Sequence, residues 1–500
     1  MAAMDDRPTD RPAADPPGRS AAPSADRFAT GSHDLPVSAA LASFMTTGWA
    51  APDTPPAERL PVAAYAEKRR AALSARFPGE RLVLPAGPPK VRSNDCDHRY
   101  RPHTAYAHLS GDTAADTGTG AVLVLEPTAA GHDAVLYHRP RSPRGDGGFY
   151  RDRRHGEFWV GRRAALAETA ERLGLACAPL DDLAGALRGP RPARVIRGVD
   201  PAVDAAVPVR DAERDREFAA AAAELRLIKD EWEIAQLQAA VDHTVTAFTA
   251  VAAALPRATG MPRGERWVEG TFERVARMEG NGVGYETIAA SGAHACVLHW
   301  TRNDGTLRLG EMLLLDAGVE TDTLYTADVT RTIPVSGWFT PRQRQVYDLV
   351  YLAQEAGLAA VRPGARFRDF HLAAMRVIAE GLQEWGVLRS AEEALDPESG
   401  VYRRYTLCSS GHMLGMDVHD CAAARASQYL DAELRPGHVL TVEPGLYLQP
   451  DDLTLPPELR GIGVRIEDDV VVTETGARLM SAELPRHPEE IELWMQSLAG

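Results

Sequence analysis

Cysteine is scarce: five in 500 residues (Cys96, Cys177, Cys296, Cys408 and Cys421), widely spread and with no CxxC pair. That argues against a disulfide-stapled secreted framework or a zinc ribbon, and points to a reducing compartment, the cytoplasm. Basic excess is missing too. A formal net charge of −15 leaves no basic face for non-specific nucleic-acid binding. No run of about 18 apolar residues occurs, so no membrane-spanning helix is expected. The N-terminal MAAMDDRPTDRPAADPP lacks the basic-then-apolar order of a signal peptide. No internal sequence repeat is visible.

What is present fits two or three domains of roughly 100–200 residues each. Residues 1–58, rich in Pro, Ala, Asp and Ser, read as a disordered extension, with one apolar patch at 41–49 able to dock on the folded body. A helix over 65–77, strands at 82–84, 121–126 and 134–138, a helix over 162–173 and a strand at 193–197 alternate as in an α/β domain. The Gly-, Arg- and Asp-rich stretch 142–158 reads as an exposed loop. A linker helix over 211–226 follows. Ile234, Leu237, Val241, Val245, Phe248 and Val251 then step by three and four along one helical face, which Pro256 is expected to break. Further helices fit 265–278, 341–361 and 366–385, with a strand at 283–289. The last third is β-rich, at 439–442, 446–448 and 464–472.

Chemistry concentrates in a few places. The stretch 313–332, LLLDAGVETDTLYTADVTRT, reads as two strands joined by a turn, with Asp316 on the first and Asp328 on the second. A carboxylate in a buried apolar strand is costly unless it is paired or bound to a cation, and these two could face each other across a ladder. Later segments add His412 and His419 in SSGHMLGMDVHD, Glu443 before Pro444 in TVEPGLY, and Glu467 beside Arg465 in GVRIEDDVVV. Asp316, Asp328, His412, Glu443 and Glu467 each interrupt a stretch otherwise fit for burial. Four carboxylates and one imidazole can hold two divalent cations. An oxygen-rich set with a single nitrogen suits Mn²⁺, with Co²⁺ or Fe²⁺ possible, more than a zinc site rich in His or Cys. Two such ions sharing a water would lower its pKa and offer hydroxide to a substrate carbonyl.

These segments resemble those of the pita-bread metallopeptidases, and residues 60–494 are similar to the aminopeptidase P (Xaa-Pro aminopeptidase) family, actinobacterial type. LRLIKDEWEIAQLQ resembles the opening of that family's catalytic domain, and VLHWTRND its first catalytic-histidine segment, which contains His299. The resemblance implies an N-terminal α/β (creatinase-like) domain at 59–210, a linker helix at 211–228 and an α+β pita-bread catalytic domain at 229–494. In the last, helices back a curved antiparallel sheet whose concave face carries the metals. It implies the five residues above as ligands, with Glu443 also the general base or acid. His299 and His419 are implied as catalytic and substrate-binding residues, and Arg465 as holding Asp316 or substrate. The implied activity is hydrolysis of the N-terminal Xaa-Pro bond of peptides through a metal-bridging hydroxide, by a dimer or tetramer. One departure stands out: the family usually has a further His four residues before the metal-binding His, where CSSGH places Cys408. The two aspartates, twelve residues apart, are also one residue further apart than is commonest in the family. A prolidase acting on Xaa-Pro dipeptides shares the same ligands. A weakly active peptide-binding paralogue is a second alternative, supported by Cys408 alone.

Overall fold

The computed structural model describes residues 35–50, 57–209 and 211–498. The N-terminal half is built on a five-stranded mixed sheet in the order Ala176–Pro179, Gly131–His138, Val122–Thr128, Arg81–Pro85, Ala193–Val195. Its three central strands pair antiparallel and both edge strands pair parallel. The reason lies in strand periodicity. Leu82, Leu84, Leu123 and Leu125 face a core that includes Leu73, Phe77 and Phe218, while Val83, Val122 and Val124 face a second core with Leu183, Leu187 and Val203. A sheet covered on both faces needs continuous apolar runs, which RLVLP and VLVLEPT supply.

The second half packs helices Glu231–Ala258, Gly264–Glu279, Pro341–Ala360 and Asp369–Glu384 behind short strands, all paired antiparallel. Asp230 starts the first of these helices with a reciprocal cap: its carboxylate accepts from the Glu233 N–H and the Glu233 carboxylate from its own. The helix Ala212–Glu224, read as a linker, is wedged into the body. Phe218 is fully buried, its ring 5.5 Å from Phe77.

Several expectations need correction. Pro256 does not end its helix, which runs on to Ala258 because Leu255 and Ala258 are both fully buried in the core. The stretch 142–158 is not simply an exposed loop. It holds the short helices Gly148–Arg151 and Glu157–Val160, and buries Phe149. Within the extension, residues 1–34 and 51–56 lie outside the described residues. Ala39–Met45 is helical, and Trp49 stacks edge-on against Phe149 at 5.6 Å. The expected strand at 464–472 is two strands, Ile462–Arg465 and Asp468–Val472, in different sheets. The strand at 283–289 is likewise split into Gly282–Val283 and Ile288–Ser291. Asp328 does not sit opposite Asp316: Thr330 does, and the return strand Val329–Pro334 begins one residue after Asp328. Among the described residues no helix is long and apolar enough to cross a membrane.

Candidate metal centre and catalytic cleft

Asp316 is the penultimate residue of the buried strand Met312–Ala317, and Gly318 alone separates that strand from Val319–Glu320. A Cβ at Gly318 would lie 1.7 Å from the Ala327 carbonyl oxygen, so only glycine lets the arms bearing Asp316 and Asp328 come this close. Tyr285, in the break between two strands, places its hydroxyl 2.7 Å from Asp316 Oδ1 and also on Asp328 Oδ1. On its other oxygen Asp316 accepts from Arg465 Nη2. That guanidinium also donates to the Tyr447 hydroxyl (2.9 Å) and to Thr330 Oγ1 (3.1 Å).

His412 Nδ1 is 3.2 Å from the Met413 carbonyl, which fixes the tautomer and turns Nε2 inward. There Nε2 lies 3.3 Å from Asp328 Oδ2 and 3.4 Å from Glu443 Oε1. One ligand atom each from Asp328, His412 and Glu467 falls within 4.8 Å of the others. Glu443 follows the strand Val439–Val442, and its N–H donates to the Ser410 carbonyl (3.0 Å), tying it to the segment that carries His412. Glu467 sits between the two split strands, where Thr330 Oγ1 donates to Oε2 at 2.7 Å.

The electrostatics of this cluster are unbalanced. Burial, with Asp328 adding to it, pushes Glu443 up to about 7 although His412 and Arg465 pull the other way. Glu467 is driven well above the carboxylate range by burial and by Asp328 and Glu443, and Asp316 is raised by burial. Burial opposes a charge on His412, yet Asp328 and Glu443 raise it to about 9. Glu467 Oε1 and the neighbouring Asp469 Oδ1 are buried with no hydrogen-bond partner. Several carboxylates around one guanidinium and one imidazole, with buried oxygens left unpartnered, fit divalent cations.

The cluster opens into a cleft of about 570 Å³ lined by His299, His419, Cys408, Tyr447 and Arg465, among others. His419 stands edge-on to His412 with ring centres 4.4 Å apart; burial and His412 lower its pKa. His299 and Cys408 are exposed on the cleft walls. Arg465, by contrast, is 4% exposed and spends its donors on protein groups.

Sequence reasoning missed Tyr285, Asp469 and Glu265. The last organises the loop that carries His299. Glu265 is fully buried and accepts from the Ser291 and Gly305 N–H groups, His294 Nδ1 and Trp300 Nε1. A Glu in the first turn of a helix reads as an exposed partner of the helix dipole, so the pattern gave no signal of this.

Residues 235–474 match the model of metallopeptidase family M24, and residues 66–190 that of the aminopeptidase P N-terminal domain. The chain is 55% identical over 471 residues to Xaa-Pro aminopeptidase 2 of Streptomyces coelicolor, covering 93% of this chain and 97% of the relative. It is 33% identical over 452 residues to the Xaa-Pro aminopeptidase of Escherichia coli (86% and 97%). The solved Pseudomonas aeruginosa aminopeptidase PepP superposes with a TM-score of 0.75 at 31% identity, over 88% of this chain and 99% of that one. Inward-facing carboxylates beside a single imidazole, on a fold shared over nearly the whole length of these enzymes, leave one assignment: the chain belongs to metallopeptidase family M24, in its aminopeptidase P group.

Proposed function

We propose that this metallopeptidase holds two divalent ions, most suitably Mn²⁺, and releases the N-terminal residue from peptides with proline second. The observation that carries the reading is the buried, charge-unbalanced convergence of Asp316, Asp328, His412, Glu443 and Glu467 in a chain so similar to Xaa-Pro aminopeptidases. Those five residues would be the ligands. When bound, the ions would acidify a shared water and polarise the scissile carbonyl. Glu443 would take the proton of the attacking water and return it to the proline nitrogen as that nitrogen leaves. His299 and His419 would donate hydrogen bonds to the oxygen on which charge develops. Arg465 and Tyr285, both in the lining of the cleft, would hold Asp316 in place, and Arg465 would also face substrate. A 59–210 domain joined through 211–228 to a 229–494 catalytic domain, cytoplasmic residence and a dimeric or tetrameric assembly belong to the same proposal.

Mn²⁺-loaded enzyme is expected to hydrolyse Ala-Pro-Ala with a kcat/KM at least about tenfold above Ala-Ala-Ala, whose second-position N–H would be buried without a partner. Equal values would favour a general aminopeptidase.

Metal loading should also release protons. Without cations Glu443 titrates at about 7 and His412 at about 9, while burial and the charges of Asp328 and Glu443 hold Glu467 well above the carboxylate range, so the site carries protons at pH 7 that ligation displaces. A Mn²⁺ titration of metal-free protein in weak buffer at pH 7 is expected to release about one proton or more per chain. Apparent affinity should weaken as pH falls below 7, because protons compete for the same oxygens. Binding without proton release would show that these carboxylates are not the ligands.

A further inference from the structure

The exposed ring of His419 makes no hydrogen bond among the described residues; it packs edge-on against His412. Its aim therefore comes from the backbone that carries it. That backbone closes on itself: the Asp420 N–H donates to the Met413 carbonyl at 3.0 Å, and the same carbonyl lies 3.2 Å from His412 Nδ1. One oxygen thus joins the residue after His412 to the residue after His419, and the two rings are brought together. Whatever holds Asp420 holds the end of this loop.

The Asp420 side chain is buried and takes no part in the lining of the catalytic cleft. Its Oδ1 accepts from Arg226 Nε at 2.9 Å and from the Cys421 N–H at 2.7 Å, and its Oδ2 lies 3.6 Å from Lys229 Nζ. Both cations are themselves buried. Burial opposes the Asp420 charge, yet Arg226 and Lys229 hold the carboxyl below its ordinary range. The loop is packed directly on this carboxylate, since a Cβ at Gly415 would run into it. Immediately after it the chain turns away through Cys421, whose φ of +63° is one that residues with a side chain rarely adopt. The cations come from the joint between the two halves: Arg226 follows helix Ala212–Glu224, and Lys229 precedes Asp230, the cap of helix Glu231–Ala258.

Resting on the function proposed above, we propose that Asp420, clamped between Arg226 and Lys229, is a positioning residue that aims His419 at the reacting carbonyl. None of the three lines the catalytic cleft, so they act through the loop. Two cations share one carboxylate, so removing either leaves a balanced pair rather than an orphaned charge. The fold then survives while the loop loses part of its aim. The loss belongs in kcat more than in KM, because His419 meets charge that develops only in the transition state.

The test is a double-mutant cycle on Mn²⁺-loaded, full-length enzyme with Ala-Pro-Ala as substrate. R226M and K229M are each expected to lower kcat about tenfold or more, a cost in line with a misplaced catalytic group. KM should stay within about twofold of wild type, and metal content should not change. H419A alone should cost about 10²–10³-fold in kcat. Added to H419A, either substitution should cost less than about twofold more, because the group it aims is gone. Wild-type kcat in folded R226M and K229M would overturn the clamp while leaving tripeptide cleavage, and so the parent reading, intact. A loss that persists in full in the H419A background would overturn it too, since a general loosening of the fold acts without His419. A wild-type enzyme that cleaves no proline-containing peptide would overturn both. Melting temperatures identify a variant that fails to fold, and the other cation then decides.

Discussion

Glu443→Gln is expected to lower kcat on Ala-Pro-Ala by roughly 10²–10⁴-fold while the protein stays folded, the range typical of a lost general acid–base group. In the proposed reaction this carboxylate exchanges the proton, and its pKa is brought to about 7 by burial and by Asp328 against the pull of His412. A group that titrates near the working pH can both take and return a proton. Glutamine keeps the size and one carbonyl oxygen, so it can still accept from Thr441 Oγ1, now 3.3 Å from Glu443 Oε1. The backbone bond from residue 443 to the Ser410 carbonyl is untouched. Folding should therefore survive, which a melting temperature checks. Assaying at saturating Mn²⁺ with metal content measured separates a lost proton carrier from a weakened ligand. Near wild-type kcat in a folded, metal-loaded variant would remove Glu443 from the chemistry.

The ligand candidates were legible because each breaks a run of residues otherwise fit for burial, and a buried charge without a partner is too costly to be incidental. The register around them was less legible. In Glu467-Asp468-Asp469 the period-two alternation sends neighbours to opposite faces. Glu467 and Asp469 turn toward Asp328, while Asp468 points away into Arg331 at 2.6 Å, a pair with both side chains fully buried. Three consecutive acids look alike by pattern alone; the family resemblance singles out Glu467 as the ligand candidate, and the fold shows Asp468 turned away into its own ion pair. Tyr285 was missed for a related reason. Its strand is interrupted at that point, so no alternation marks a hydroxyl that meets both aspartates. The N-terminal sheet was easier, since strands covered on both faces must be apolar throughout. Its edge strand Ala176–Pro179, partly exposed and paired only on one side, left too weak a pattern to find.

Cys408→His is expected to raise kcat on a proline-containing tripeptide, by up to roughly 10²–10³-fold if the imidazole reaches developing charge. The structure puts Cys408 on the cleft wall, exposed, in the same lining as His299, His419 and Glu443. A small thiol packed in the interior would have made the larger ring an overpacking error, but an exposed wall position leaves it room. The thiol itself cannot stand in for an imidazole. Partial loss of water inside the cleft, although the side chain is exposed on its wall, together with the Glu443 charge raises the Cys408 pKa, so at neutral pH it is an uncharged and weak donor. The resemblance to aminopeptidase P, in which a histidine usually occupies this place four residues before the metal-binding one, supplies the reason to restore it. Metal content should not change, because no proposed ligand is altered, and neither should the melting temperature. The gain should appear in kcat more than in KM, since a donor aimed at developing charge acts in the transition state rather than in the ground state. An unchanged or reduced kcat in a stable, metal-loaded variant would show that the reaction of this enzyme does not lack that donor, and that CSSGH serves another role in its cleft.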